Sequence, residues 1–302
     1  QNFRPGVAER LGVAFEDIRA LRPDIVYADL TGFGPDGPYS QRRVYDTVIQ
    51  GQSGLAASQT GIHDDQPKLI KQLICDKVTA YTACQAITAA LLARERGSGG
   101  QHLELSMLDA CIAFMFVDAA DHEVILDGDH SGPQAVAAYN TPFAFRDGFA
   151  TVAVPDDEEF HGLARAMGVD SSDPDLATVK DRVAHPDKTR SFHLQVRENA
   201  RQLTTTEAEA HLENNGVPFG IVRLVDEVAH DPQVVANALF SEFDHPAAGR
   251  IRHHRSPTRF HGTPAEFREP AAPTLGQHSD EVAAETGRGD RIKQLRSAGV
   301  IR

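Results

Sequence analysis

Asp76 stands where a largely apolar stretch, Leu69 to Cys75, meets a long run of residues with helical spacing. An acid there has two uses. It can cap the helix by accepting from the free N–H groups of the first turn. It can also be a carboxylate held ionised by the helix dipole, and a positioned carboxylate can attack an activated acyl group as a covalent nucleophile. Spacing alone leaves both open. Other suggestive strings fall short. Gly32-Phe33-Gly34-Pro35-Asp36-Gly37 follows a strand and has the G-x-G-x-x-G form. A dinucleotide site needs the third glycine to open a helix facing the pyrophosphate. Pro35 and Pro38 interrupt, Tyr39-Ser40-Gln41 begins no helical pattern, and no acid follows a second strand. The string reads instead as a tight loop whose glycines permit positive φ or close approach. Gly51-Gln52-Ser53-Gly54 departs from the nucleophile-elbow form at Leu55. The fourteen histidines, His253-His254 included, show no metal-ligand spacing, so no metal is expected.

The elements that must hold Asp76 can be sketched from pattern. Val7 to Leu21 has helical spacing, with Leu11, Phe15, Ile18 and Leu21 on one face. Asp24 to Leu30 is a β-rich run. Val78, Tyr81, Cys84, Ile87 and Leu91 define the long helix, which ends at Arg94-Glu95-Arg96 and Gly97. Gln101 to Leu105 reads as a strand and Met107 to Val117 as a helix. Helix and strand thus alternate over residues 1–120, which predicts a large α/β domain with a parallel sheet and crossover helices. Residues 121–142 read as a linker. Residues 143–222 predict a smaller α+β domain: a hairpin at Asp147-Gly148 with a return strand Ala150 to Val154. Helices are predicted over 158–167, 174–184 (Asp173 as cap), 191–202 and 206–214. Residues 223–302 read as a linker and a C-terminal return, of which roughly the last 55, rich in Pro, His and Arg, look extended except for a helix over 279–286.

At about 150 residues per domain, 302 residues suggest two domains. Forty-three acids against thirty bases give a formal charge of −13. That argues against a nucleic-acid partner, which would need a basic face to release counterions. Cys75, Cys84 and Cys111 have neither paired nor metal-type spacing and suit a reducing cytoplasm. No apolar run approaches the roughly 18 residues of a membrane span.

Four ordered blocks carry a family resemblance. Asn2-Phe3-Arg4-Pro5-Gly6 through Gly12 resembles the N-F-R-P-G signature of family III CoA transferases, the CaiB/BaiF type that includes formyl-CoA transferases. Thr31 to Tyr39 with Tyr45-Asp46 resembles its G-F-G…Y-D block. Ala89 to Gln101 with Leu105 to Ala110 resembles its A-L-l-x-R-e-r-t-G-x-G-q…s-m-l-D-A block. Gly216-Val217-Pro218, Asp231-Pro232-Gln233 and Pro273 to Ser279 resemble its tail.

The resemblance implies a Rossmann-like large domain, a smaller α+β domain and a homodimer of interlocked rings. It implies transfer of coenzyme A from an acyl-CoA to a carboxylic acid, with Asp76 as the catalytic aspartate. CoA and acyl-CoA are then substrates, and no prosthetic group is implied. Asn2, Phe3 and Arg4 are implied at the CoA site, with Arg10 on its phosphates. Arg43, Val44, Tyr45 and Asp46 are implied at the pantetheine and thioester end, with Met107 nearby. The related 2-methylacyl-CoA racemases carry a His where this chain has Tyr45, and a phenol is a poor base at neutral pH. Racemase is thus the alternative activity, and a CoA-binding protein without catalysis the other alternative. Oxalate-using members have a glycine-rich loop over the site, whereas residues 128–150 hold only Gly128, Gly132 and Gly148, a departure that counts against a small dicarboxylate acceptor. The N-F-R-P-G block lies well inside the family's first domain. The expectation is therefore a segment of a longer protein, with on the order of 60–100 residues (two or three βα units) ahead of it, or else a weakened CoA site.

Overall fold

The computed structural model describes residues 1–60, 66–119, 121–124, 126–127, 141–265 and 272–301. The chain divides into two compact units, Gln1–Ile221 and Val222–Arg302.

The first unit begins with α1 (Val7–Leu11) and α2 (Phe15–Leu21) rather than one helix over 7–21. Gly12 breaks the run. It is left-handed at φ 68°, its N–H turns back to Glu9 and the Val13 N–H reaches Ala8, which closes α1. The expected apolar face is not buried: α2 buries no residue, and Leu21 is 82% exposed. Strand β1 (Val26–Thr31) follows. The chain then passes through α3 (Asp46–Gln52), α4 (Leu55–Ser58) and the long α5 (Ile74–Ala93) to β2 (Gln101–Ser106). β1 and β2 pair in parallel, from Val26 opposite Gln101 to Thr31 opposite Ser106, so the expected βαβ crossover is present. Gly97, at φ 92°, ends the helical run after α5 as anticipated. Gly100 is required for another reason: a Cβ there would lie 2.2 Å from the Ile25 carbonyl oxygen. The chain leaves β2 directly into α6 (Met107–Ala119), where the Ser106 hydroxyl accepts the Asp109 N–H at 2.9 Å. A short α7 (Asp121–Val124) comes next. Most of the expected linker, with Gly128 and Gly132, lies outside the described residues.

Ile49, Leu55, Cys75 and Cys111 form the core of this part, with Phe33, Val44, Ile74 and Met107 packed against them. Residues 141–221 build a separate and larger core. The order there is β3 (Phe143–Ala144), β4 (Phe149–Val152), α8 (Asp157–Met167), α9 (Val179–Ala184), α10 (Pro186–Ala200), α11 (Thr205–Asn214) and β5 (Phe219–Ile221). The three strands are antiparallel in the order β3-β4-β5. The β3–β4 loop spans four residues and is closed by the Phe145 N–H on the Gly148 carbonyl. Asp156, Thr178 and Thr204 cap α8, α9 and α11 in reciprocal boxes with Glu159, Asp181 and Glu207. The helix expected over 174–184 is split into a 3-10 turn, Pro174–Leu176, capped by Asp173, and α9. Phe160, Leu163, Phe192, Val196 and Leu212 fill the interior.

The second unit holds α12 (Pro232–Ala236), an antiparallel hairpin of β6 (Phe240–His245) and β7 (Gly249–His254), α13 (Ser279–Glu285) and α14 (Ile292–Ser297). It is thus less extended than its Pro, His and Arg content suggested. Among the described residues no helix is long and apolar enough to cross a membrane.

Burial separates two leucines that periodicity treats alike. Leu163→Ala, at a site 1% exposed, should cost about 3 kcal/mol in denaturant unfolding. Leu21→Ala should stay within about 0.5 kcal/mol of the parent.

Candidate active site

The first turn of α5 is capped from a different helix. Leu73 occupies the N-cap position and supplies no side-chain bond. Asp46, the first residue of α3, does so instead: its Oδ2 accepts the Cys75 N–H at 2.7 Å and the Asp76 N–H at 3.1 Å. Asp46 is only 3% exposed. Its other oxygen, Oδ1, accepts from Gln50 Nε2 at 2.6 Å. Gln50 lies one turn further along α3, on the same face. Its Nε2 also donates to the Ile70 carbonyl at 3.0 Å, and its Oε1 accepts the Ile70 N–H at 2.8 Å. The capping use of Asp76 is therefore corrected. Asp76 sits inside the first turn and offers its N–H to another acid, while its own side chain is exposed.

Cys75 lies behind Asp76 and is fully buried against Cys111 of α6. Burial, then the neighbouring Cys111 and the Asp46 and Asp76 carboxylates, push its thiol far above the ordinary range. Burial raises the Cys111 thiol as well.

The other residues singled out from sequence fall into two groups. Val44, Tyr45 and Asp46 lead into α3 beside Asp76. Val44 packs on Gly32, where a Cβ would stand 2.2 Å from Val44 Cγ1. Gly34 and Gly37 have φ of 96° and 90°, so the glycine string is a tight loop of the kind expected. The Leu108 N–H, bonded to the Gly32 carbonyl at 3.1 Å, ties this loop to α6. Tyr45 is 78% exposed and Arg43 is exposed. Asp46 differs from its neighbours, since both its carboxylate oxygens are engaged within the protein. Met107 packs on the core around Cys75.

In the second group, Phe3 and Arg4 line a small cleft of about 140 Å³ with Thr31, Pro35, Asp29, His102 and Glu104. Asn2 is exposed. The Arg10 guanidinium donates to the Gly6 carbonyl at 2.8 Å and is not among the residues lining that cleft. Thr31 and Gly32 connect the two groups, one lining the cleft and the other touching Val44.

Two features had no sequence signal. Parallel pairing sets Asp29 opposite Glu104 and Tyr27 opposite His102. Ligand-type atoms of Asp29, His102 and Glu104 then lie within 4.8 Å of one another. His102 Nε2 is 2.7 Å from Asp29 Oδ2, and its ring stacks on Phe15 at 4.6 Å. Only the strand register reveals this cluster. Gln50 is the second feature, in a short helix that periodicity did not mark.

Residues 1–279 match the sequence model of CoA-transferase family III. The chain belongs to that family. It is 31% identical over 296 residues to succinate–glutarate CoA-transferase of Agrobacterium fabrum, covering 94% of this chain and 71% of the relative. It is 29% identical over 323 residues to formyl-CoA:oxalate CoA-transferase of Streptomyces avermitilis, covering 100% and 77%. The crystal structure of a CAIB/BAIF family protein from Brucella suis superposes with a TM-score of 0.74 at 28% identity, covering 94% of this chain and 74% of that one. This family III CoA transferase is therefore an enzyme of mixed α/β architecture whose substrates are CoA thioesters and carboxylic acids.

The thiols give a direct check on the packing behind Asp76. Of the three cysteines, only Cys84 is exposed. Titration of the native enzyme with a disulfide reagent at mild alkaline pH should give one fast thiol, and all three after denaturation. Rapid native labelling of Cys75 would contradict the packing.

Proposed function

We propose that the enzyme transfers CoA from an acyl-CoA donor to a carboxylic acid through covalent intermediates on Asp76. One observation supports this above the rest: Asp46 caps α5, so the Asp76 carboxylate is exposed at a helix start and not spent on capping. The carboxylate attacks the thioester carbonyl, the C–S bond breaks, and a mixed anhydride and CoA thiolate form. The thiolate attacks the aspartyl carbonyl and expels the donor acid, leaving an aspartyl-CoA thioester. The acceptor carboxylate attacks that thioester and releases thiolate again. Thiolate attack on the acceptor's acyl carbon then gives the new acyl-CoA and restores Asp76. No metal or external reductant is required, since each step exchanges one acyl bond for another.

CoA stays bound throughout, so contacts to its remote nucleotide can position the thiol. In this reading Asn2, Phe3 and Arg4 serve the CoA site and Arg10 its phosphates, with guanidinium donors to spare beyond the one on Gly6. Arg43, Val44 and Tyr45 serve the thioester end, and Asp46 acts through α5. The enzyme so read has a Rossmann-like large domain over 1–120, a smaller domain over 143–222, a homodimeric assembly and a cytoplasmic setting. Relatives are named for succinate, glutarate and oxalate, and short dicarboxylic acids are taken as the substrate class.

Incubation with succinyl-CoA, proteolysis and mass spectrometry should place a CoA adduct on Asp76. Asp76→Ala should abolish both adduct and transfer to glutarate or oxalate. Full transfer activity in Asp76→Ala would sink the mechanism. Deuterium uptake at C2 of a 2-methylacyl-CoA without CoA transfer would favour the racemase instead.

A further inference from the structure

We propose that Gln50 is a positioning residue for CoA transfer, fixing Asp76 through Asp46 and through the segment that enters α5. The proposal rests on Asp76 being the nucleophile.

Gln50 is fully buried and so is placed away from substrate. Its carboxamide has one workable orientation. The NH2 group faces two acceptors, Asp46 Oδ1 and the Ile70 carbonyl, with the Gln72 carbonyl at 3.4 Å beyond. The oxygen faces a donor, the Ile70 N–H. Turning the amide over would set oxygen against a carboxylate and a carbonyl, and NH2 against N–H. A carboxylate of the same shape could not supply the donors.

Two consequences converge on Asp76. First, among the described residues Asp46 has no ion-pair partner, and a buried carboxylate then depends on its hydrogen bonds. Three donors serve it: the Cys75 and Asp76 N–H groups and Gln50 Nε2. Removing Gln50 strips Oδ1, and the acid that holds the α5 terminus is free to turn. Second, Gln50 grips both main-chain groups of Ile70, four residues before α5 begins at Ile74. One amide on α3 thereby fixes both the cap and the approach to the capped helix. Misplacing a reacting group by about 1 Å can cost on the order of 10²-fold in rate. The loss belongs in kcat, because the acyl-CoA contacts proposed above do not involve Gln50.

Gln50→Glu separates this role from simple core filling. Where it is ionised, the introduced carboxylate faces that of Asp46, and the two repel. Transfer from succinyl-CoA to glutarate should then show kcat reduced on the order of 10²-fold, with KM for succinyl-CoA changed less than about threefold. As pH falls from about 9 to about 5.5, the introduced carboxylate takes up a proton and can donate to Asp46 Oδ1. The variant-to-parent ratio of kcat should therefore rise toward one. Gln50→Met has no proton to gain and should stay low throughout. A flat ratio for Gln50→Glu, parental kcat in either variant, or a loss confined to KM would overturn the proposal. If Gln50→Glu does not fold, Gln50→Met decides: it keeps the volume without the donors to Asp46 and Ile70, and a parental kcat, or a loss confined to KM, overturns the idea. Asp76→Ala is run alongside. Its retaining activity would defeat the nucleophile reading, whereas an inactive Asp76→Ala beside a fully active Gln50→Glu would defeat only the role of Gln50.

Discussion

The Asp46 carboxylate on the two N–H groups of Cys75 and Asp76 is the contact on which the candidate site depends. It joins the start of one helix to the start of another across 29 residues of sequence. It satisfies donors that a helix terminus would otherwise leave open. It also decides which acid faces outward. Around it the packing is apolar and close: Cys75, Cys111 and Ile49 occupy the interior, and Met107 and Ile74 flank them. The polar pair Asp46–Gln50 is therefore enclosed, and its hydrogen bonds are strengthened by the same low-dielectric surroundings that would penalise a missing partner.

The loop from Thr31 to Gly37 is the second constraint. Gly32 lets Val44 approach, and Val44 leads straight into Tyr45 and Asp46. The Gly32 carbonyl meanwhile holds the Leu108 N–H at the start of α6, the helix that carries Cys111. Strand β1, the loop, α3 and α6 are thus set against one another before any side chain of Asp76 is considered. Gly100 does the equivalent at the other end of the sheet, where the main chain of β2 passes against Ile25. Glycine at these places reflects contact distance at Gly32 and Gly100 and positive φ at Gly34 and Gly37.

How much of this could be read from sequence depends on the range of the interaction. Strands β1 to β4, the long α5, its end at Gly97 and the tight loop follow from local pattern, whereas β5 and the β6–β7 hairpin do not. So do the cap at Asp173 and the overall alternation of helix and strand. Helix α3 does not: Thr47, Val48 and Ile49 are β-branched, and Gly51 weakens it further, so propensity points away from helix. Tertiary contacts of Asp46, Ile49 and Gln50 hold it instead. The same reason hides Asp46 as the cap of α5, since its partner is 29 residues away. The Asp29–His102–Glu104 cluster is invisible without the strand register. The helix at 7–21 failed in the opposite direction. Its apolar periodicity is real, but Gly12 breaks the chain and Leu21 remains exposed.

Separating the cap from the proposed nucleophile has an energetic logic. A carboxylate that capped α5 would have its lone pairs engaged by main-chain N–H groups. Hydrogen bonds to charged groups are worth about 1.5–3 kcal/mol each. A nucleophile that also served as cap would have to give up such bonds as its oxygen turned to the thioester carbon, and the loss would add to the barrier of each of its attacks. In the proposed cycle, with Asp46 holding the terminus, Asp76 changes from carboxylate to anhydride to thioester while the helix beneath it keeps its hydrogen bonds. That proposed cycle needs rigidity in α3 and the first turn of α5, and freedom only in one side chain.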